Sequence, residues 1–447
     1  MKNTANMEKA YQIAKEKYER LDVDTETALA ALDAISLSLH CWQGDDVGGF
    51  ERPGAGLEGG GIQVTGNYPG KARTAAELRS DLEKAYSLIP GLHRLNLHAM
   101  YGEFGGRRIE RNEIEPHHFE GWIEWAKTQH LKIDFNCTCF SHPKAESGFT
   151  LSSKNKDIRQ FWIEHVSRCR TISAFIGREL GSPCIHNLWI PDGSKDIPAD
   201  RLTHRALLKE SLDEIYAAEY PVSEMKDSVE SKLFGIGSES FVTGSHEFYM
   251  GYALKKGKML CLDLGHFHPT ESVADKLSSI LLFSDELLLH MSRGVRWDSD
   301  HVAILSDDMR EVCGEIVRND FITRVHLALD FFDGSMNRVG AWVIGARAVL
   351  KALLIALLEP AETLRNFEEA GDYFSRLALM EELKSMPFGA VWDYHCLRKG
   401  LPAGDSWLNE IRRYEVETLR KRSQSTRGIT KPQDTGNHLQ EGEKWQK

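Results

Sequence analysis

The stretch Cys184-Ile-His-Asn-Leu-Trp189 is a short, mostly apolar run that lies between two long helical patterns. Its length and its bulky side chains are typical of a β-strand. The helical patterns before and after it cover Asp157–Leu180 and Asp200–Tyr220. Helices between strands are the connections that parallel strands require, so this order of elements predicts an α/β fold.

The same alternation recurs along most of the chain. The seven other strand predictions are Ile35–His40, Arg94–His98, Leu131–Phe135, Val229–Phe234, Met259–Asp263, Leu287–His290 and Val325–Asp330. Eight strands separated mostly by helices predict a closed (β/α)8 TIM barrel, with an open doubly wound sheet as the alternative.

The patterns divide the chain into four segments. We predict N-terminal helices at 1–34, a barrel catalytic domain at 35–358, a C-terminal helical extension at 359–421 and a polar, disordered tail at 422–447. The connection Gly44–Gly70 has ten glycines in 27 residues, which predicts a mobile segment that could close over a site after the first strand.

Composition and charge exclude several classes of protein. Lysine and arginine number 55 against 66 aspartates and glutamates, a net charge of −11, which disfavours nucleic acid and anionic membrane surfaces as partners. The apolar run Ala341–Leu358 carries two basic residues, so it predicts an amphipathic helix rather than a membrane span. The start of the chain lacks the apolar run of a secretory signal, and the eight cysteines form no CxxC pair, so we expect a reduced, cytoplasmic protein.

Ionisable and aromatic side chains are concentrated where the predicted strands end, which in a barrel is the active-site face. They are Trp42, Asp45, His98, Asp134, Asn136, Trp189, Glu230, Lys232, Asp263, His266, His290, Asp298, Asp300 and Asp330. A ring of buried carboxylates is costly unless cations neutralise it. The pattern therefore predicts a metal centre, and the number of oxygen ligands suggests two divalent ions.

The spacing of these residues supports that hypothesis. Glu230 and Lys232 are two residues apart on a predicted strand, so both are expected to point into the same site. Asp263 and His266 are three apart where a strand ends, so they could reach one ion or two adjacent ions. Mixed carboxylate and imidazole ligands suit Mn²⁺, Co²⁺ or Zn²⁺.

Six motifs make the chain resemble the L-rhamnose isomerase family, from about Met7 to about Leu419. They are His40-Cys-Trp-Gln-Gly-Asp-Asp46, Gly66-Asn-Tyr-Pro-Gly-Lys-Ala72, Val229-Glu-Ser-Lys-Leu-Phe-Gly-Ile-Gly237, Leu262-Asp-Leu-Gly-His-Phe-His-Pro-Thr270, Val295-Arg-Trp-Asp-Ser-Asp-His301 and Leu329-Asp-Phe-Phe-Asp333. The resemblance implies a barrel related to that of xylose isomerase, and a helical extension that helps to build a homotetramer. It also implies two divalent ions per subunit, expected to be Mn²⁺ with Zn²⁺ or Co²⁺ as the alternative at one site.

The resemblance also implies roles for individual residues. The structural ion would be held by Glu230, Asp263, His290 and Asp330. The catalytic ion would be held by His266, Asp298 and Asp300, with Asp263 close enough to bridge. The catalytic residues would be Lys232, His98 and Asp330, and the residues that bind the sugar would be Trp42, Trp189 and His268.

The implied reaction interconverts L-rhamnose and L-rhamnulose by ring opening and a metal-assisted hydride shift between C2 and C1. The sequence leaves three alternatives open. An enediol route would use a base beside the C2 hydrogen, an epimerase on the same barrel would exchange a C–H proton with solvent, and a metal-dependent hydrolase would cleave a phosphodiester.

Overall fold

Eight parallel strands form a closed barrel in the computed structural model, which describes residues 2–51, 64–232, 239–268, 270–295 and 300–422. The strands are β1 Ser36–His40, β2 Leu92–His98, β3 Lys132–Asn136, β4 Cys184–Leu188, β5 Met225–Glu230, β6 Met259–Asp263, β7 Leu287–Met291 and β8 Val325–Leu329. Each pairs with its neighbours in sequence, and β1 closes the barrel on β8 with Leu37 opposite Leu327. The predicted (β/α)8 barrel is confirmed, and this closure excludes the open sheet.

Most predicted strand boundaries are within two residues of the observed ones, and the largest error concerns β5. The expected strand Val229–Phe234 is β5, which covers Met225–Glu230 and therefore begins four residues earlier. Its first half contains the charged residues Lys226 and Asp227, which form ion pairs with Glu286 and Arg170 respectively. Such a strand has no apolar periodicity to reveal it.

Helices surround the barrel and extend it at both ends of the chain. They are α1 Lys2–Glu19, α2 Thr25–Ala34, α3 Ala75–Tyr86, α4 Glu120–Thr128, α5 Lys156–Leu180, α6 Arg201–Ile215, α7 His246–Lys256, α8 Ala274–Leu281, α9 Asp307–Arg318, α10 Arg338–Leu357, α11 Ala361–Glu369, α12 Tyr373–Leu383, α13 Phe388–Arg398 and α14 Trp407–Tyr414. A two-stranded antiparallel ribbon pairs Gly193–Ser194 with Phe241–Val242. C-terminal helices are present, as expected from the sequence. A π-helical turn, Glu415–Leu419, follows α14. Arg422, with which the disordered tail was predicted to begin, is still helical and forms an ion pair with Asp81.

The helix α10 is the most apolar element of the fold. By length and composition it could cross a membrane, yet 83% of its most apolar window is buried inside the protein. It packs against α2, α3, α9 and α13. Even its basic residue Arg347 is buried, where it donates to the carbonyl oxygens of Leu88 and Pro402. The helix is thus a core helix, buried on more of its surface than an amphipathic pattern predicts.

Two of the predicted segments fall partly outside the described residues. These parts are 52–63 of the glycine-rich connection Gly44–Gly70 and 423–447 of the polar tail.

Candidate metal centre

Four side chains from adjacent strands converge at the carboxyl-terminal end of the barrel. Glu230 and Asp263 end β5 and β6, His290 lies on β7, and Asp330 directly follows β8. The imidazole Nδ1 of His290 lies 3.2 Å from Glu230 Oε1, 3.6 Å from Asp263 Oδ2 and 3.1 Å from Asp330 Oδ2. One ligand atom from each of the four residues lies within 4.8 Å of the others, so the group could hold one metal ion.

A second group shares Asp263 with the first. Asp263, His266 and Asp300 also offer ligand atoms that lie within 4.8 Å of one another. His266 Nε2 lies 3.7 Å from Asp300 Oδ1, and His266 Nδ1 lies 3.4 Å from Glu230 Oε1. The two groups are therefore adjacent, as the bridging position expected for Asp263 requires. Asp298, the remaining expected ligand, lies outside the described residues.

The residues present fit two divalent cations. Asp263 Oδ2 and Asp300 Oδ1 are buried and have no hydrogen-bond partner, which is costly for a carboxylate. Burial and then the charge of Asp263 raise the pKa of Asp300 well above its usual range. Burial lowers the pKa of His290, but Cys261 and Glu230 outweigh it and raise this pKa well above its ordinary value. Crowded acidic groups of this kind are stabilised by bound cations, and oxygen with imidazole ligands suits Mn²⁺, Co²⁺ or Zn²⁺.

Neighbouring hydrogen-bond donors orient the carboxylates. Asn187 Nδ2 donates to Glu230 Oε2 at 2.6 Å, and Trp42 Nε1 donates to Asp330 Oδ1 at 3.0 Å. Ser292 Oγ donates to Asp263 Oδ1 at 2.5 Å. Each donor occupies one oxygen and leaves the other for the cluster. Sequence reasoning missed Asn187 and Ser292, although they lie two residues from the predicted site residues Trp189 and His290 respectively.

A cavity that is open to solvent lies against these groups. It is lined by Trp42, Val47, His98, Asn136, Cys137, Phe140, Trp189, Glu230, His266, Asp300, Asp330 and Phe332. The lining thus combines the polar candidate ligands with aromatic and aliphatic side chains. The cavity thus suits a small molecule with several oxygens and an apolar part. Of its lining, sequence reasoning missed Val47, Cys137, Phe140 and Phe332.

His98 lies in the cavity wall, as predicted. Its Nδ1 lies 3.0 Å from Thr138 Oγ1, and its ring packs edge-on against Trp42 and Phe140. Burial lowers the pKa of His98 to about 3, so the imidazole is neutral at neutral pH. A neutral imidazole can both accept and donate a proton.

Lys232 lies two residues after the end of β5 at Glu230. Its Nζ donates to the carbonyl oxygen of Pro191 at 3.0 Å and to Glu239 Oε1 at 2.9 Å. It also lies 5.9 Å from the ring centre of Trp189, which lines the cavity. Lys232 therefore lies beside the part of the cavity wall formed by Trp189. Its partner Glu239 gave no signal in the sequence.

Three other residues predicted from the sequence, the sugar-binding candidate His268 and the strand-end residues Asp134 and Asp45, do not join the cluster. His268 is exposed, with its Nδ1 2.7 Å from Thr270 Oγ1, and it lines a separate surface pocket rather than the cavity. Asp134 lies within β3, where Arg94 binds it. Asp45 is buried and accepts from the hydroxyl of Tyr101 at 2.6 Å. Both aspartates are satisfied by protein groups, which position along the sequence does not reveal.

Comparison with known proteins identifies close relatives. The model of the L-rhamnose isomerase family matches residues 5–422. L-Rhamnose isomerase of Rhodopirellula baltica is 56% identical over 426 residues, which cover 95% of this chain and 99% of that protein. The Salmonella typhimurium enzyme of the same name is 55% identical over 420 residues, covering 94% of this chain and all of its own. A solved structure of L-ribulose 3-epimerase has 11% identity and a TM-score of 0.45, covering 75% of this chain and 97% of its own.

Proposed function

The chain belongs to the L-rhamnose isomerase family, and we propose that it interconverts L-rhamnose and L-rhamnulose with two divalent cations held at the barrel mouth. It is an aldose–ketose isomerase. The observation that carries the proposed metal site is the convergence of Glu230, Asp263, His266, His290, Asp300 and Asp330, with two buried carboxylate oxygens that lack a hydrogen bond. We propose Asp298 as a further ligand, on the strength of its sequence motif alone.

The bound cations would supply positive charge that orients and polarises the oxygens of the open-chain sugar. We expect Mn²⁺ at both positions, with Zn²⁺ or Co²⁺ as the alternative at one of them. Asp263 can serve both positions because the two groups share it. The hydrogen bonds from Asn187, Ser292 and Trp42 hold the carboxylates in place before substrate arrives.

The remaining cavity residues act on the sugar itself. His98 is neutral, so it can take the proton of the O1 hydroxyl and return a proton to the ring oxygen as the pyranose opens. Trp42 and Trp189 line the cavity and exclude water from the reacting carbons. Phe140, Phe332 and Val47 offer apolar surface for the methyl group of a deoxy sugar. We propose that Lys232 supplies a positive charge near the negative charge that develops on the sugar oxygen. We also propose that Asp330 is both a metal ligand and a catalytic residue.

Solvent isotope exchange tests the reaction. The full-length protein loaded with Mn²⁺ is incubated with L-rhamnose in deuterated water, and the product is analysed by NMR. A hydride shift gives L-rhamnulose without deuterium on carbon, because the hydrogen passes directly from C2 to C1. Deuterium at C1 would indicate the enediol route, and a C-epimer of the aldose or no ketose at all would overturn the proposed function.

Removal of the metals is a second test. Exhaustive chelation should abolish ketose formation, and added Mn²⁺ or Co²⁺ should restore it, since the carboxylate cluster then regains its neutralising charge. Metal content is measured in parallel by elemental analysis. Full activity in metal-free protein would contradict the two-cation proposal.

We further propose a cytoplasmic homotetramer with a small sugar as substrate and no nucleic acid or membrane partner. All eight cysteines are free and buried, as suits a reducing compartment. The helix α12 buries none of its residues, and Tyr373, Phe374 and Leu377 are exposed on it. Large apolar side chains grouped on one exposed helix favour contact with another subunit.

A further inference from the structure

The connection between β1 and α3 contains two described limbs, and the first of them reaches the cavity. The outgoing limb comprises residues 45–50, and the returning limb comprises residues 64–70. Val47 of the outgoing limb lines the cavity and is only 3% exposed. The position of this limb therefore shapes the cavity wall.

The backbone of the outgoing limb is strained at Asp46 and Val47, where it places the Val47 side chain in the cavity wall. Asp46 has φ +59° and Val47 has φ +56°, both in the left-handed region. A β-branched residue rarely adopts that conformation, and it persists only where surrounding contacts hold it. One local contact is the hydrogen bond from Val47 N to the carbonyl oxygen of Trp42 at 3.0 Å.

A single guanidinium joins the two limbs. Arg338 Nε and Nη2 donate to the two carboxylate oxygens of Asp46, each at 2.7 Å. Arg338 Nη1 donates to the carbonyl oxygen of Tyr68 in the returning limb, also at 2.7 Å. Arg338 is 4% exposed, so this bidentate pair is shielded from water.

The position of Arg338 in its own helix indicates that its role is to bind the two limbs rather than to stabilise α10. It is the first residue of α10, where the helix dipole disfavours a cation, and the first turn of α10 contains no acidic residue. The core helix α10 offers a rigid base for this contact. The returning limb is tied to the same region because Tyr68 N donates to Gly334 O at 2.7 Å, and Tyr68 and Asn337 both donate to Glu415 Oε2.

We propose that Arg338 and Asp46 are positioning residues that hold the strained outgoing limb, and with it Val47, in the wall of the sugar cavity. Neither residue lines the cavity, so they act through the limb rather than on the sugar. This inference rests on the proposed isomerase function for its kinetic test, while its structural test is independent of any activity.

The kinetic test compares two buried arginines of the same helix in the full-length protein loaded with Mn²⁺. Arg338→Met should lower kcat/KM for L-rhamnose by about 10- to 100-fold, mostly through a higher KM, because the wall is displaced while the metal ligands stay in place. Metal content should be unchanged. Arg347→Met removes a guanidinium that is also buried in α10 but bonds to Leu88, Pro402 and Cys396, away from the limbs. It should lower the melting temperature and leave KM unchanged.

A strain-relief variant separates positioning from general stability. Val47→Gly should itself raise KM by removing part of the wall, but glycine adopts positive φ freely, so the limb depends less on the contact, which then holds only Asp46 in a strained conformation. Arg338→Met should therefore change KM less in the Val47→Gly background than in the natural chain. Equal effects of Arg338→Met in both backgrounds would overturn the proposal.

Amide hydrogen exchange provides the test that needs no activity. Arg338→Met should accelerate exchange in residues 45–50 and 64–70, whereas Arg347→Met should not. Unchanged exchange in both limbs, or equal acceleration by the two variants, would overturn the inference. An inactive natural chain would overturn the proposed isomerase function instead, and the exchange result would still decide the role of Arg338.

Discussion

The nearest charged side chain determines the pKa of a buried aspartate in this barrel, and with it whether the aspartate is suited to binding a metal ion. Asp134 and Asp300 are both buried or nearly so, and burial alone raises the pKa of either. For Asp134 the Arg94 guanidinium, 2.6 Å away, outweighs burial and lowers the pKa below its usual range. For Asp300 the neighbouring charge is that of Asp263, so the pKa rises instead. Asp134 is therefore structural, whereas Asp300 is suited to a metal ion.

The role of Lys232 can be tested by substitution. Lys232→Met should lower kcat by about 100- to 1,000-fold, the range for loss of one donor that stabilises developing negative charge. Metal content should not change, since the ammonium bonds to Glu239 and Pro191 rather than to the carboxylate cluster. Stopped assays with elemental analysis provide both readouts.

Lys226→Met is the matched control for Lys232→Met. Lys226 also belongs to the β5 region, but it binds Glu286 near the opposite end of the strand. Its loss should leave kcat unchanged. If Lys232→Met instead loses its metals, the residue maintains the carboxylate ring and has no direct part in catalysis.

At the scale of elements, α5 packs against the barrel through a close contact between Gly177 and the backbone next to β4 and β5. A Cβ on Gly177 would lie 1.7 Å from the carbonyl oxygen of Glu224, just before β5, and 3.0 Å from Cys184 N, at the start of β4. Gly177→Ala should therefore lower the unfolding free energy by about 1–3 kcal/mol through overpacking. Thermal denaturation measures the effect.

Gly251→Ala in α7 is the control, because a Cβ there has no atom within 4 Å. It should raise stability by about 0.5–1 kcal/mol, the usual gain for alanine over glycine inside a helix. A loss of stability similar to that of Gly177→Ala would show that the close approach is unimportant.

A buried ion-pair network ties α5 to β5 and should depend on pH. Asp227 accepts from Arg170 at 2.8 and 2.9 Å and from Lys258 at 2.8 Å. Burial acts to raise the pKa of Asp227, but His186 and Arg170 outweigh it and lower the pKa below its usual value. A lowered pKa means that the network stabilises the fold above the unfolded-state value near pH 3.9, and that this contribution declines as pH falls below it.

Asp227→Asn should accordingly cost about 3–5 kcal/mol at pH 7, because it leaves a buried guanidinium without its charge partner. The difference from the natural chain should shrink below about pH 4. Asp213→Asn, which removes a partly exposed pair with Lys209, should cost about 1 kcal/mol or less. A pH-independent difference for Asp227→Asn would contradict the electrostatic account.

At the scale of the whole molecule, α12 tests the proposed assembly. Phe374 is 83% exposed and lies beside two other exposed apolar side chains of that helix. Phe374→Glu should reduce the mass measured by light scattering, because a buried charge at a subunit contact is costly. Leu202→Glu, at a comparably exposed site on α6, should leave the mass unchanged. A monomeric natural chain would contradict the homotetramer, and a tetrameric Phe374→Glu variant would remove α12 from the contact.

The local sequence determined most of the strands and their alternation with helices, which favours a barrel. Short apolar runs such as Met259–Asp263 alternate with helical patterns, as parallel strands require. The same reasoning located Glu230, Asp263, His290 and Asp330, because the ends of parallel strands meet at one face. It could not locate the start of β5, whose polar residues are paired with partners far along the chain. The pairing of β1 with β8 in the tertiary structure decided between the closed barrel and the open sheet.

Only the tertiary structure decided which polar residues share a site and which are neutralised elsewhere. Asp45, Asp134 and Asp263 have the same side chain and were all predicted near strand ends, yet Tyr101, Arg94 and His290 respectively give them different surroundings. The strained conformation of Val47 and the contact of Arg338 with both limbs are likewise invisible in the sequence, since Asp46 and Arg338 are 292 residues apart. Pairing of charges depends on distance in space, which chain order constrains only between residues of the same or adjacent elements.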